Sequence, residues 1–171
     1  MSERSVELAK QSISGASKYD YFIVGIAAAT FAYFAKDFSA ENSFGLNENS
    51  LVILALLLQA ASIVSGLKKI ERYNEFLQRN GKYLDYSEHL AGYKKVAIEG
   101  ISGINKENGE ILTPEESAIK AASLEKLLPK WKSELESRSK IISISGTIRD
   151  YSLFLSFLFL SVGKMLPLWG L

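Results

Sequence analysis

Between Tyr73 and Lys95 the chain places Tyr73, Arg79, Lys82, Tyr83, Tyr86, His89, Tyr93, Lys94 and Lys95. Tyrosine rings offer flat faces on which bases stack, and lysine and arginine meet phosphates. The segment therefore suits a nucleotide or a short single-stranded oligonucleotide. Arg79, Lys82, Tyr86, His89, Tyr93 and Lys94 are the candidate ligand-binding residues. Glu71, Glu75, Asp85 and Glu88 dilute the positive potential of the same stretch. That dilution favours a plainer reading, in which Tyr86 and Tyr93 are core and Lys94 and Lys95 form a solvated edge. Duplex nucleic acid is not expected, because the formal net charge is only +1 and no global basic field exists.

A second set of polar residues sits inside an apolar run. Ala55, Gln59, Ser62 and Gly66 recur at steps of four, three and four, so they share one face of a helix. Small and polar residues on such a face suit close helix contact, with the amide hydrogen bonding across the interface. The partner face would be the preceding apolar segment, whose Gly25-Ala29 and Ala28-Ala32 pairs have small-xxx-small spacing. The alternative is a polar stripe lining a pore built from several copies. Ser152 and Ser156 offer a weaker second stripe.

Other chemistry is scarce. The chain has no cysteine and one histidine, which excludes disulfides, thiolate metal sites, cysteine nucleophiles and multi-histidine centres. His89 alone suits a hydrogen-bonding role better than that of a catalytic base. Gly100, Gly103 and Gly109 match neither the dinucleotide fingerprint nor the P-loop. Glu115-Glu116 reads as a helix start. Neither an enzyme nor a cofactor is expected.

The elements that position these residues are predicted to be all-α, in an integral membrane protein with three transmembrane helices. Tyr21–Ala35, Asn49–Leu67 and Tyr151–Leu171 are apolar runs with almost no charge, and a soluble core helix would carry a polar stripe every three to four residues. Lys164 in the third run would snorkel to the interface, and Trp169 would sit near a membrane face. Arg4, Lys10, Lys18, Lys68, Lys69, Arg72, Arg79, Arg138, Lys140 and Arg149 flank the runs on one side, whereas Lys36–Ser50 holds one lysine against Asp37, Glu41 and Glu48. The positive-inside rule then puts the N-terminus and residues 68–149 in the cytoplasm. The expected division is an N-terminal amphipathic segment and two-helix membrane hairpin over 1–67, a helical cytoplasmic region over 68–149, and a C-terminal membrane helix over 150–171.

Within the cytoplasmic region, Ile70, Tyr73, Phe76 and Leu77 continue the second helix as a stalk that Asn80-Gly81 stops. Tyr86, Leu90, Tyr93, Ala97 and Ile101 mark a further helix over about 82–99. Gly100, Gly103 and Asn105–Glu110 break the pattern, and Thr113-Pro114-Glu115-Glu116 opens a new helix that Pro129 kinks or restarts. No stretch alternates long enough to predict a strand.

A polar N-terminal helix, two membrane helices joined by a short loop, and a second helix running far into the cytosol as KKIERYNEFLQRNGKYL (Lys68–Leu84) resemble the SLATT group of small membrane proteins in bacterial conflict systems. The resemblance covers about residues 1–100 and lies in architecture. It implies an oligomeric, pore-forming effector of antiphage defence in the bacterial inner membrane, triggered by a nucleotide-type messenger. Read together, these features predict a homo-oligomeric channel gated through its cytoplasmic helices. The competing expectation is a non-conducting adaptor or immunity protein that binds a partner protein.

Overall fold

The structure is a computed structural model that describes residues 3–36, 38, 47–104, 109 and 111–166, with side chains from Lys10 onward. Its elements are α1 (Glu3–Lys36), α2 (Glu48–Glu99), β1 (Gly103–Ile104), β2 (Ile111–Leu112) and α3 (Pro114–Met165). The all-helical expectation meets one addition, the antiparallel pair of two-residue strands β1 and β2, with Gly103 opposite Leu112 and Ile104 opposite Ile111. Two-residue strands are too short to leave an alternating signal.

The three-transmembrane expectation is corrected. Among the described residues only α2 contains a window long and apolar enough to cross a membrane, with a mean hydropathy of 2.2. In α1 a window of bilayer length takes in Asp20 or Lys36, and in α3 it takes in Arg149, Asp150 or Lys164. The end of the third predicted segment, 167–171 with Trp169, lies outside the described residues, as does most of the expected 36–50 loop.

Two helix boundaries also differ. Asn80-Gly81 does not stop the second helix, and the two helices expected on either side of it are one, α2, of 52 residues. A glycine inside a helix costs about 1 kcal/mol against alanine, an amount that packing along the rest of the helix offsets. The glycine that ends α2 is Gly100, whose φ of 67° is the left-handed conformation that closes helices. Likewise α3 runs through Pro129 without ending. At its start Thr113 and Glu116 form a reciprocal capping box: the Glu116 amide donates to Thr113 Oγ1 at 3.3 Å, and the Thr113 amide donates to Glu116 Oε2 at 3.4 Å.

The chain divides into two compact units, residues 1–72 with 141–171, and residues 73–140. In the first, α1 and α3 each run antiparallel to α2. Val52, Ala55 and Leu160 form its apolar core, with Phe34, Phe38, Leu56 and Phe159 packed around them. Asp20, Gln59, Ser62, Ser145, Arg149 and Ser156 are also buried in this unit, while Tyr21, Phe22, Tyr33, Leu57, Leu67, Tyr151 and Phe154 are exposed. Large apolar side chains thus stand on the surface of this unit while several polar ones are covered. In the second unit, the later part of α2 and the first part of α3 pack antiparallel, and Leu112, Ala121, Leu128 and Leu135 are buried.

Along α3, Ala121, Leu128, Leu135, Ile142, Arg149 and Ser156 are all buried at every seventh position. That period is the seam of coiled-coil packing, whose apolar members give way to polar ones after Ile142.

Candidate ligand groove and buried polar seam

The helical face carrying Tyr86, His89 and Tyr93 forms one wall of a groove of about 1250 Å³ in the second unit; α3 supplies the other wall, including Lys120, Ser123 and Trp131. Spacings of three and four residues bring the α2 aromatics into one row. Tyr86 meets Trp131 edge to face at 5.1 Å between ring centroids, and His89 stacks on Tyr93 at 6.2 Å. The Lys120 ammonium lies 5.7 Å from the centre of the Tyr93 ring, within cation–π reach.

Charge in the groove is divided unequally. Arg138 pairs with Glu75 at 3.2 Å and Arg79 approaches Glu134 at 3.9 Å. Lys82 and Lys120 also line the groove but have no carboxylate within salt-bridge distance among the described residues. Two arginines are thus partly neutralised, and Lys82, Lys120 and Asp85 line the groove outside any ion pair among the described residues, leaving it a small positive excess. All these pairs are exposed, so each contributes on the order of 0–1 kcal/mol to stability.

Of the six residues singled out from the sequence, Arg79, Lys82, Tyr86, His89 and Tyr93 line this groove. Lys94 does not; its ammonium pairs with Glu125 at 2.6 Å. Sequence reasoning missed Trp131, Lys120 and Arg138, which reach the site from α3. The available signal was Trp131 at helical spacing from Leu128 and Leu135.

In the first unit, Ala55, Gln59, Ser62 and Gly66 lie together on the buried face of α2. Their partner on α1 differs from the one expected: Gly25, Ala28 and Ala29 are exposed, and a Cβ on Gly25 would meet nothing within 4 Å. The face of α1 turned inward carries Asp20, Val24 and Ala27 instead. A Cβ on Gly66 would collide with Val24 and come within 3.0 Å of Arg149 Cδ, so this glycine permits the close approach of three helices. Ser156 of the weaker stripe is fully buried and Ser152 half-buried.

Where the seam meets the charged ends of the apolar runs, residues from all three helices join an ion cluster. Asp20 Oδ1 accepts from Lys69 Nζ at 2.7 Å and from Arg149 Nη1 at 2.5 Å. Arg149 also donates through Nε to Asp150 at 2.8 Å, its guanidinium lies 5.7 Å from the centre of the Tyr19 ring, and its carbonyl accepts from Ser62 Oγ at 2.9 Å. Arg72 donates to Ser145 Oγ at 3.0 Å. Burial alone would raise the Asp20 pKa, but the hydrogen bonds and charges of Lys69 and Arg149 outweigh it and hold the pKa below the usual carboxylate value. Burial likewise opposes the Arg149 charge, and Asp150 and Asp20 reverse that effect, raising its pKa. Asp20 and Arg149 were legible only as charges flanking apolar runs; nothing in their spacing along the chain showed that they meet.

Gln59 stands apart. It is fully buried, and neither its Nε2 nor its Oε1 has a hydrogen-bond partner among the described residues. Among those residues no group of three histidine, aspartate or glutamate side chains is placed to hold a metal. No protein-family model, curated protein sequence or solved structure matches this chain.

Proposed function

We propose that the protein is a homo-oligomeric effector of the bacterial inner membrane, in which α2 crosses the bilayer with Lys68, Lys69 and Arg72 at the cytoplasmic face. Assembled copies form an ion-conducting pore, and a nucleotide or short oligonucleotide bound in the groove of residues 73–140 controls it. The observation that carries the membrane part is the apolar surface of the first unit: the apolar window of α2 is only 28% buried, and large apolar side chains of α1 and α3 are exposed beside it, while Asp20, Gln59 and Arg149 are buried. The groove supports a ligand that joins a flat ring to an anion, because Tyr86, Tyr93 and Trp131 lie beside Lys82 and Lys120, and the lining cations outnumber the carboxylates. A role in antiphage defence is what the resemblance of residues 1–100 to the SLATT group implies.

Conduction requires the Gln59 stripe to meet water in the open state. A buried amide without partners costs about 1–3 kcal/mol, so any arrangement that hydrates it recovers that amount. A ligand drives the change only to the extent that it binds the open arrangement more tightly. The second reading, a non-conducting adaptor, is favoured by one observation: Ala55, Gln59, Ser62 and Gly66 are already packed within a single chain.

Reconstitution into anionic liposomes, with ion flux measured alongside native mass spectrometry, separates the two readings. The channel reading expects three or more copies, nucleotide-dependent flux, a changed flux in Gln59→Leu at equal insertion, and loss of the nucleotide effect in the double variant Lys82→Gln, Lys120→Gln. A stable monomer without flux removes the channel and leaves the adaptor.

A further inference from the structure

The antiparallel register of the first unit can be followed from its contacts. Lys69 meets Asp20, and Gly66 meets Val24; Phe34 and Phe38 pack against the Val52 and Ala55 cluster. On the other side Lys69 approaches Gly146, Ser62 meets the Arg149 carbonyl, and Leu51 approaches Gly163. Interpolating between these fixed points sets Thr30 of α1 and Ser156 of α3 at the level of Gln59. Each helix thus contributes one polar side chain at the same level of the bundle.

The two hydroxyls spend their protons locally, Thr30 Oγ1 on the Ile26 carbonyl at 2.8 Å and Ser156 Oγ on the Leu153 carbonyl at 2.7 Å. Both oxygens keep lone pairs. Gln59 brings two donors and an acceptor to the same layer, all unsatisfied by protein. With the two hydroxyl oxygens of Thr30 and Ser156 at its level, the Gln59 amide has the kind of polar neighbours through which a buried water is held.

On one side of the layer lie Val52, Ala55 and Leu160, an apolar plug with Phe34 and Phe159 packed on it. On the other side the Arg149 stem lies across Gly66, within 3.0 Å of where a Cβ would stand, and the Asp20 carboxylate holds its guanidinium. We propose that Thr30, Gln59 and Ser156 form a water-binding chamber inside each chain, closed at one end by the Val52–Ala55–Leu160 plug and at the other by Arg149, with Asp20 as the latch that holds it. The chamber is a property of the single chain and stands whether or not copies assemble into a pore. Its two closures are of different kinds. The plug excludes water by dewetting, whereas Arg149 closes the chamber as a charged side chain held by the buried Asp20 and, at its outer edge, by the exposed Asp150.

The test uses the full chain in detergent micelles. In the unaltered protein with ¹⁵N-glutamine, the Gln59 side-chain amide, assigned by its disappearance in Gln59→Leu, is expected to show a cross-peak to water. An amide that gives none overturns the chamber. Because the chain has no cysteine, Gln59→Cys and Ala55→Cys each introduce one thiol whose rate of modification by a small charged thiosulfonate reports access. In the charge-balanced background Asp20→Ala, Arg149→Ala, the Gln59→Cys rate is expected to rise at least about tenfold while the Ala55→Cys rate stays fixed, as removal of one closure alone requires. No rise at Gln59→Cys overturns the latch, and an equal rise at both positions overturns the plug. Should the double background lose helix content, the wild-type cross-peak alone decides.

Discussion

Asp20 is the carboxylate on which the charge balance of the helical bundle turns, since two cations from two other helices share one of its oxygens. A buried pair is a poor source of net stability, because desolvation consumes most of the attraction, yet removing one partner strands the other and costs about 3–5 kcal/mol. Asp20→Asn is therefore expected to lower the melting temperature sharply at neutral pH. The direction of the pKa shift fixes the acid behaviour. A carboxyl held below its unfolded value contributes its full stability above about pH 4 and loses it as the pH falls through the lower folded value. Melting curves between pH 7 and pH 2 should show that loss in the wild type and a smaller one in Asp20→Asn; identical acid profiles would remove Asp20 as the source. Arg149 stays charged throughout this range and adds nothing to the slope. The sequence revealed both residues as boundary charges but not as partners, because 129 positions separate them. Only the register of three helices brings them together.

At the scale of the helix, the sequence disclosed composition well and continuity poorly. The helix start at Thr113 and the break at Gly100 were legible because their chemistry is local. The unbroken course of α2 through Gly81, and of α3 through Pro129, was not, because the packing that overrides a local breaker is distant in sequence. The seven-residue rhythm of α3 was hidden for a related reason: Arg149 and Ser156 occupy buried positions where a hydrophobic repeat expects aliphatic side chains. Gly66 and Gly25 provide the test of which faces pack. Gly66→Ala must displace Val24 or the Arg149 stem and is expected to destabilise by about 1–3 kcal/mol. Gly25→Ala meets nothing and should stabilise by about 0.5–1 kcal/mol through the helix backbone alone. Thermal unfolding of both variants in micelles checks the pair, and the same sign for both would contradict the assignment of faces.

For the molecule as a whole, the groove shows how far single-sequence reading reaches. Five of its lining residues stood on one helical face and could be counted off, whereas Trp131, Lys120 and Arg138 arrive from the return helix, whose alignment no local rule supplies. Among the described residues hydropathy and length together single out α2, whereas the apolar runs of α1 and α3 are cut short by Asp20, Lys36, Asp150 and Lys164. Exposed aromatic and aliphatic side chains on all three helices of the first unit predict that the chain sediments with membranes after alkaline carbonate washing and is released by detergent; a carbonate-released, lipid-free particle would count against this. The shared carboxylate has one further consequence, for assembly. Sliding any of the three helices by a single turn, about 5.4 Å, would separate Asp20 from at least one of its cations and leave an ion stranded among hydrocarbon side chains. Mis-threaded bundles of otherwise interchangeable greasy helices are thereby rejected, and the correct alignment is proofread by a single acid.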